Sequence, residues 1–466
     1  MSQKQVLTRR EASKIAAAAA TLSITGAPFI SKVKAANSTV QFGFIGTGSR
    51  GQYLLQHLKS IDNATCVAVC DVYEPSMRKG AEIIGTKPKQ FKDYRELLAD
   101  KSVDAVLIAT PLYMHFPATR DALDAGKHVF CEKSLVFKPE EIHALRALSN
   151  SKPKQTVQVG LQRRYSKFYQ TAKQMIDKGM LGTVTHIRGQ WHRNTFAKDP
   201  WNKPLPKDRT DKDVNWRKYR EYSGGLTAEL ASHQIDIADW MFGAQPEFVV
   251  GVGGTDYIKD GRDIFDNIQL IFKYPKGQKL HYSSITTNRH LPLFNAERTE
   301  FGECIMGTQG TIHITVGTDS EPALGMWYTE PALPKVEGAK ASAPAVASPS
   351  LSSTGKGGKA LPILLEKDLV TSNDSFVDRE MKYARRWLYQ KGVMVPEEDR
   401  NPVDVELESF FNDIKNGTKP KSDLEVGLHD SAAVMLANRC MYEERKVLFS
   451  EIDNMGKGEA KPVKKA

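Results

Sequence analysis

Residues 40–161 predict a doubly wound parallel α/β sheet, and the residues after them predict an α+β domain with a large, mostly antiparallel open sheet. Three observations carry this. Strand-like and helix-like segments alternate from Val40 to Leu161, as parallel strands joined by crossover helices require. A glycine-rich turn sits between the first strand and the first helix. From Thr183 onward, strand-like runs follow one another with few helices between them.

The first element is the most informative. Apolar Val40, Phe42, Phe44 and Ile45 lead into Gly46-Thr47-Gly48-Ser49-Arg50-Gly51, and Leu54, Leu55 and Leu58 follow at helical spacing. A second apolar strand over 66–70 closes on Asp71, 20 residues past Gly51. Gly46 permits the tight turn and Gly48 lets backbone approach a pyrophosphate. Gly51 lets the helix sit close to the sheet with its N-terminal N–H groups aimed at phosphate. Strand, turn, helix and acid in this order form a Rossmann dinucleotide-binding unit. A carboxylate at Asp71 accepts the ribose hydroxyls and repels a 2′-phosphate, so NAD is the expected cofactor, with NADP the alternative.

The next strands bring further groups. A buried strand over 105–109 ends at Thr110-Pro111, with His115 close behind, and a helix over 117–125 stops at Gly126. A strand over 127–131 runs into Glu132-Lys133, a helix covers 140–149, and the strand over 156–160 is followed by Gln162, Arg163, Arg164 and Tyr165. Ligands in open α/β sheets sit beyond the carboxyl ends of the strands. Thr110, Pro111, His115, Glu132, Lys133 and Gln162 are therefore expected around the cofactor. Lys133 falls at the nicotinamide end, where an ammonium can hold a substrate hydroxyl and stabilise its alkoxide.

In the second domain, 183–191, 247–252, 267–272, 279–286 and 310–316 read as strands. Residues 331–361 are rich in Pro, Ala, Ser and Gly and read as a disordered or loosely draped insertion. Order resumes over 376–389, followed by helices over 403–415 and 426–443. A helix over 223–240 puts Glu229, His233, Asp236 and Trp240 on one stripe. A carboxylate beside an imidazole suits general acid–base work, with His233 taking a hydroxyl proton and Glu229 orienting it. Arg164, Tyr165, Trp191, His192, Trp216, Tyr219 and Asp236 are the candidates for contact with substrate, the tryptophans as faces for a sugar ring.

Composition narrows the class. The chain has 466 residues, 40% of them hydrophobic, enough for more than one buried core. Its formal charge of +10 is concentrated at the ends: residues 1–35 carry +5 and 456–466 carry +3, leaving +2 for the body. So neutral a body does not point to nucleic acid. Thr8-Arg9-Arg10-Glu11-Ala12-Ser13-Lys14 and the alanine-rich run after it resemble a twin-arginine export signal over 1–36, with small residues at Val33-Lys34-Ala35 for cleavage. The expected location is periplasmic, without a stable membrane span. The dinucleotide domain is then 37–161, the second domain 162–455 and the basic tail 456–466. Five scattered cysteines include Cys66 and Cys70 in one strand, about 13 Å apart when extended, too far to bridge. Neither a disulfide framework nor a metal site is expected.

Taken together, GFIGTGSRG, ATPLYMH, VFCEKS, GLQRRY, GGLTAELASHQID, GTQGT and NPVDVELESFFNDIKNGTKPKSD resemble the glucose–fructose oxidoreductase/inositol dehydrogenase (Gfo/Idh/MocA) family over nearly the whole body. The family's Glu-Lys-Pro stands here as Glu132-Lys133-Ser134, and its Asp-x-Gly-x-His as Glu229-Leu230-Ala231-Ser232-His233. The resemblance implies an NAD-dependent oxidoreductase with Lys133 and His233 catalytic, Glu229 in place of the aspartate, and a homo-oligomer formed through the second sheet. It implies hydride transfer from a secondary hydroxyl of a sugar, polyol or glycoside. Redox-neutral glycoside cleavage through a transiently oxidised ring, or a non-catalytic dinucleotide sensor, are the alternatives.

Overall fold

The computed structural model describes residues 39–289, 301–315, 324–329, 360–362, 371–380, 382–383 and 400–454. The expected export segment, the basic tail, residues 331–359 of the insertion and residues 381 and 384–389 of the segment after it lie outside these.

Strand β1 (Val40–Ile45) pairs in parallel with β2 (Ala64–Cys70) and β4 (Ala105–Ile108). β3 (Lys89–Phe91) joins beyond β2, and β5 (His128–Glu132) and β6 (Val157–Gly160) extend the other side, giving the order β3-β2-β1-β4-β5-β6. Successive strands are added to one side of β1 and then, from β4, to the other, so the carboxyl ends of these two strands open a crevice. Helices α1 (Ser49–Leu58), α2 (Glu74–Ile84), α3 (Tyr94–Ala99), α4 (His115–Asp124) and α5 (Pro139–Ser151) make the crossovers. The leucine spacing read in the sequence buries Leu54, Leu55 and Leu58 of α1 against the sheet.

After α6 (Lys167–Asp177), β7 (Val184–His192) enters a nine-stranded sheet. It contains β8 (Phe248–Gly254), β9 (Asn267–Lys273), β10 (Lys279–Ile285), β11 (Phe301–Gly307), β12 (Gly310–Thr315), β13 (Leu324–Thr329), β14 (Ala360–Pro362) and β15 (Val447–Leu448). The order is β14-β13-β12-β11-β7-β10-β9-β8-β15, antiparallel throughout except for β7 beside β10. The sequence predicts five of these strands to within two residues. β11 is an addition, because Gly302, Glu303 and Gly307 mask its alternation. The insertion's last residues are corrected: Ala360 and Leu361 pair with Tyr328 and Trp327 as an edge strand.

Helix α7 (Ser232–Phe242) packs on this sheet, preceded by one wide π-helical turn, Thr227–Ala231. The final helices, α8 (Pro402–Asn416) and α9 (Leu424–Tyr442), return to the first sheet. Phe411 packs tilted against Phe42 and Phe410 edge-on against Phe130, ring centroids 5.3 and 5.9 Å apart. Leu424 and Leu428 of α9 join the core formed by Ile108, Val129 and Val159. The first sheet thus takes part of its covering from the chain's C-terminal end. Among the described residues no helix is long and apolar enough to cross a membrane, and no cluster of His, Cys, Asp or Glu is placed to hold a metal. All five cysteines are buried and unbridged.

Candidate active site

The glycine turn has the geometry its sequence requires. Gly46 lies at φ +93°, and a Cβ there would meet the Ala109 backbone at 2.7 Å. A Cβ on Gly51 would fall 2.0 Å from the Gly46 carbonyl, so only glycine lets α1 begin this close to β1. Gly48 faces open space, as backbone meant to approach a ligand must. Asp71 pins the turn: its Oδ2 accepts from the Thr47 N–H at 2.8 Å and its Oδ1 from the Tyr73 N–H at 2.8 Å. Oδ2 also accepts from the Thr47 hydroxyl at 3.2 Å, while Oδ1 keeps a further lone pair.

A cavity of about 610 Å³ starts at Gly46, Gly48, Ser49 and Asp71, passes Thr110, Pro111 and His115, and ends at Lys133, Glu229 and His233. Such a volume and mixed lining suit a small-molecule site, and the buried Thr110 Oγ1 on its wall has no hydrogen-bond partner. These features fit a dinucleotide laid from Asp71 to Lys133. Three expected cofactor residues that line the cavity are tied together: Arg50 donates to Glu132 at 2.8 Å and to Gln162 at 3.0 Å. His115 is a buried brace, its Nδ1 2.8 Å from the Ser134 carbonyl and its Nε2 3.0 Å from that of Thr110. Burial holds its pKa below the usual value.

At the far end, the Lys133 ammonium donates to the carbonyls of Ala228 and Glu229 at 2.8 and 2.7 Å. The wide turn therefore meets the strand end carrying Lys133, whose peptide bond to Ser134 is cis. Burial lowers the Lys133 pKa, against the pull of Glu229 and Glu132. His233 is 7% exposed, its ring stacked on Trp191 at 5.7 Å, and its Nδ1 has no partner. Burial first, then the charges of Lys133, Arg163 and Arg50, hold its pKa well below the usual 6.5. The imidazole is neutral at neutral pH and able to accept a proton.

The expected Glu229–His233 pairing is corrected. The wide turn breaks the α-helical i, i+4 relation, and Glu229 accepts instead from Arg217 Nε at 2.7 Å. Burial works against the charge of Glu229, but Arg217 and Lys133 outweigh it and leave its pKa low.

Of the substrate candidates, Trp191 and Trp216 line the cavity. The others lie outside its lining. Arg164 donates to Asp236 at 2.8 Å and Tyr165 is hydrogen-bonded with Ser422 at 3.2 Å. His192 Nε2 lies 2.8 Å from Ser283 Oγ, with a pKa drawn down to about 4 by burial and Arg188. Tyr219 donates to Asp211. The sequence reading passed over Arg193, Trp201, Lys203, Arg209 and Arg217, which also line the cavity. Their one signal was the density of Trp, Lys and Arg over 191–217, which reads equally as a solvated loop.

Comparison with known proteins agrees with this geometry. Residues 40–161 match the family described as "Oxidoreductase family, NAD-binding Rossmann fold", and 169–313 match the "GFO/IDH/MocA C-terminal domain". A myo-inositol 2-dehydrogenase of Thermotoga maritima is 29% identical over 217 residues, covering 46% of this chain and 59% of its own length. An inositol 2-dehydrogenase of Salmonella paratyphi B is 28% identical over 204 residues, covering 44% and 54%. The chain thus spans little more than half the length of these relatives. In fold it is similar to the scyllo-inositol dehydrogenase of Lactobacillus casei solved with NAD(H) and scyllo-inositol, at TM-score 0.58 and 18% identity, over 89% of this chain and all of that one. With both halves matched in order, and with the glycine turn, Asp71 and the Lys133 strand end in one cavity, the chain belongs to the Gfo/Idh/MocA family and carries its NAD-binding Rossmann domain.

Proposed function

We propose that the protein is an NAD-dependent oxidoreductase that removes hydride from a secondary hydroxyl of a cyclic polyol or sugar. The observation that carries this is the convergence of Lys133 and His233 at the end of the cavity opposite Asp71. Bound NAD⁺ supplies the hydride acceptor. His233 takes the hydroxyl proton on its neutral imidazole, and Lys133 holds the same oxygen as negative charge grows on it. Glu229 keeps Arg217 in place and adds negative charge beside Lys133. Trp191, carrying His233 on its ring, and Trp216, beneath Arg217, line the part of the cavity where a ring would lie. The inositol dehydrogenases among its relatives support a cyclic polyol. Incubating the purified protein with NAD⁺ and a panel of inositols, sugars and glycosides should yield NADH in proportion to ketone product. Turnover of a glycoside without net NADH would overturn the reading in favour of redox-neutral cleavage.

In the same preparation NAD(H) should bind more tightly than NADP(H), because a 2′-phosphate would face Asp71, and Asp71→Ala should weaken NAD and narrow the gap. Calorimetry showing equal or tighter NADP binding by the unmodified protein would refute this. The protein is also proposed to be periplasmic and to begin near Ala36 when mature. Changing Arg9 and Arg10 to Lys should hold it in the cytoplasm; finding the unmodified full-length chain only there would end the export reading. Exposed Val252 and Ile271 on the open sheet support self-association through that face, measurable by light scattering.

A further inference from the structure

The phosphate end of the cavity is short of available positive charge from its own domain. Arg50 is bound to Glu132 and Gln162, and Lys133 lies at the other end, bound to two carbonyls. The chain supplies a cation from elsewhere. In the segment between β7 and the wide turn, Lys203 extends its Nζ to 3.0 Å from Ser49 Oγ, at the first residue of α1. Among the described residues it forms no ion pair; it remains exposed, and partial desolvation together with the charge of Arg217 lowers its pKa.

The position of Lys203 is built into the fold. Its N–H donates to Asn215 Oδ1 at 2.7 Å and its carbonyl accepts from Asn215 Nδ2 at 3.0 Å. Asn215 is 2% exposed, and its Nδ2 also donates to Asp211 at 2.7 Å. On the upstream side, Asp199 accepts from the Trp201 N–H at 2.8 Å and from Arg262 at 2.5 Å. Further along, Arg209 lies over the Tyr73 ring at 5.0 Å, two residues past Asp71. The segment 199–217 therefore crosses the cavity from the phosphate turn toward the adenosine end.

We propose that Lys203 is a ligand of the cofactor's diphosphate, so that the dinucleotide is gripped between the N-terminus of α1 and a strap from the second domain. This rests on the reading that NAD occupies the glycine-turn cavity. An ammonium meeting phosphate adds a charge-assisted bond to those from the backbone N–H groups, and it must be broken before the cofactor can leave.

The test measures binding by calorimetry for the full chain with NAD⁺, ADP-ribose and adenosine. Lys203→Met should weaken NAD⁺ and ADP-ribose alike, by roughly ten- to hundredfold, and leave adenosine unchanged. Lys203→Arg should restore most of the loss. Dissociation of NAD⁺, followed through tryptophan fluorescence, should quicken by a similar factor. An NAD⁺ affinity and off-rate within about twofold of the unmodified protein, or an equal loss for adenosine, would overturn the role of Lys203. Absence of any dinucleotide binding by the unmodified protein would overturn the functional reading itself.

Discussion

Lys133→Ala and His233→Ala are each expected to cut turnover by about 10²–10⁴-fold, the range of general acid–base assistance, while NAD⁺ still binds. Neither side chain belongs to the phosphate turn, so a calorimetric Kd should move little where kcat collapses. The low pKa of His233 adds a signature in pH. Its imidazole stays neutral well below pH 6.5, the usual midpoint. The acid limb of kcat against pH should therefore fall below that of an ordinary histidine. An acid limb near pH 6.5, or full turnover in either alanine variant, would remove that residue from the proposed chemistry.

Arg163→Leu should destabilise the fold by about 3–5 kcal/mol, the range for breaking a buried ion pair and stranding its partner. Arg163 is paired with Glu303 on β11, and Tyr169 donates to the same carboxylate. Arg163 is 4% exposed and Glu303 fully buried. Burial pushes the Glu303 pKa up, and Arg163 and Tyr169 oppose it. Without the guanidinium that pKa should rise further, so the native state binds an additional proton and stability falls as pH rises. Urea melts should therefore show a smaller loss at pH 5 than at pH 8; a loss under about 1 kcal/mol at both would show that the pair is not needed.

These two sites differ in how far the sequence revealed them. The glycine turn, Asp71 and Lys133 were legible because each is fixed locally, by a strand end, a helix start and their spacing. The setting of Glu229 was not. Spacing is read on α-helical geometry, and one wide turn sends its carboxylate to Arg217. Glu303 was hidden for another reason: a strand holding a buried acid and two glycines looks like a loop until Arg163 appears opposite it. Lys203 lies in a Pro- and Lys-rich stretch whose composition signals solvent, and only the paired bonds from Asn215 fix it in place. Amphipathic spacing marked α8 and α9 as helices but could not say which sheet they would cover.

That covering sets an order of events during synthesis. Phe42 and Phe130 are synthesised well before their partners Phe411 and Phe410, which follow roughly 370 and 280 residues later. Until then the nucleotide half has an open flank, and its apolar surface must be shielded by transient contacts or by a chaperone. Completion of this half waits for the synthesis of α8, so a chain cut short before Pro402 would leave an unfinished, aggregation-prone product in place of a folded nucleotide domain.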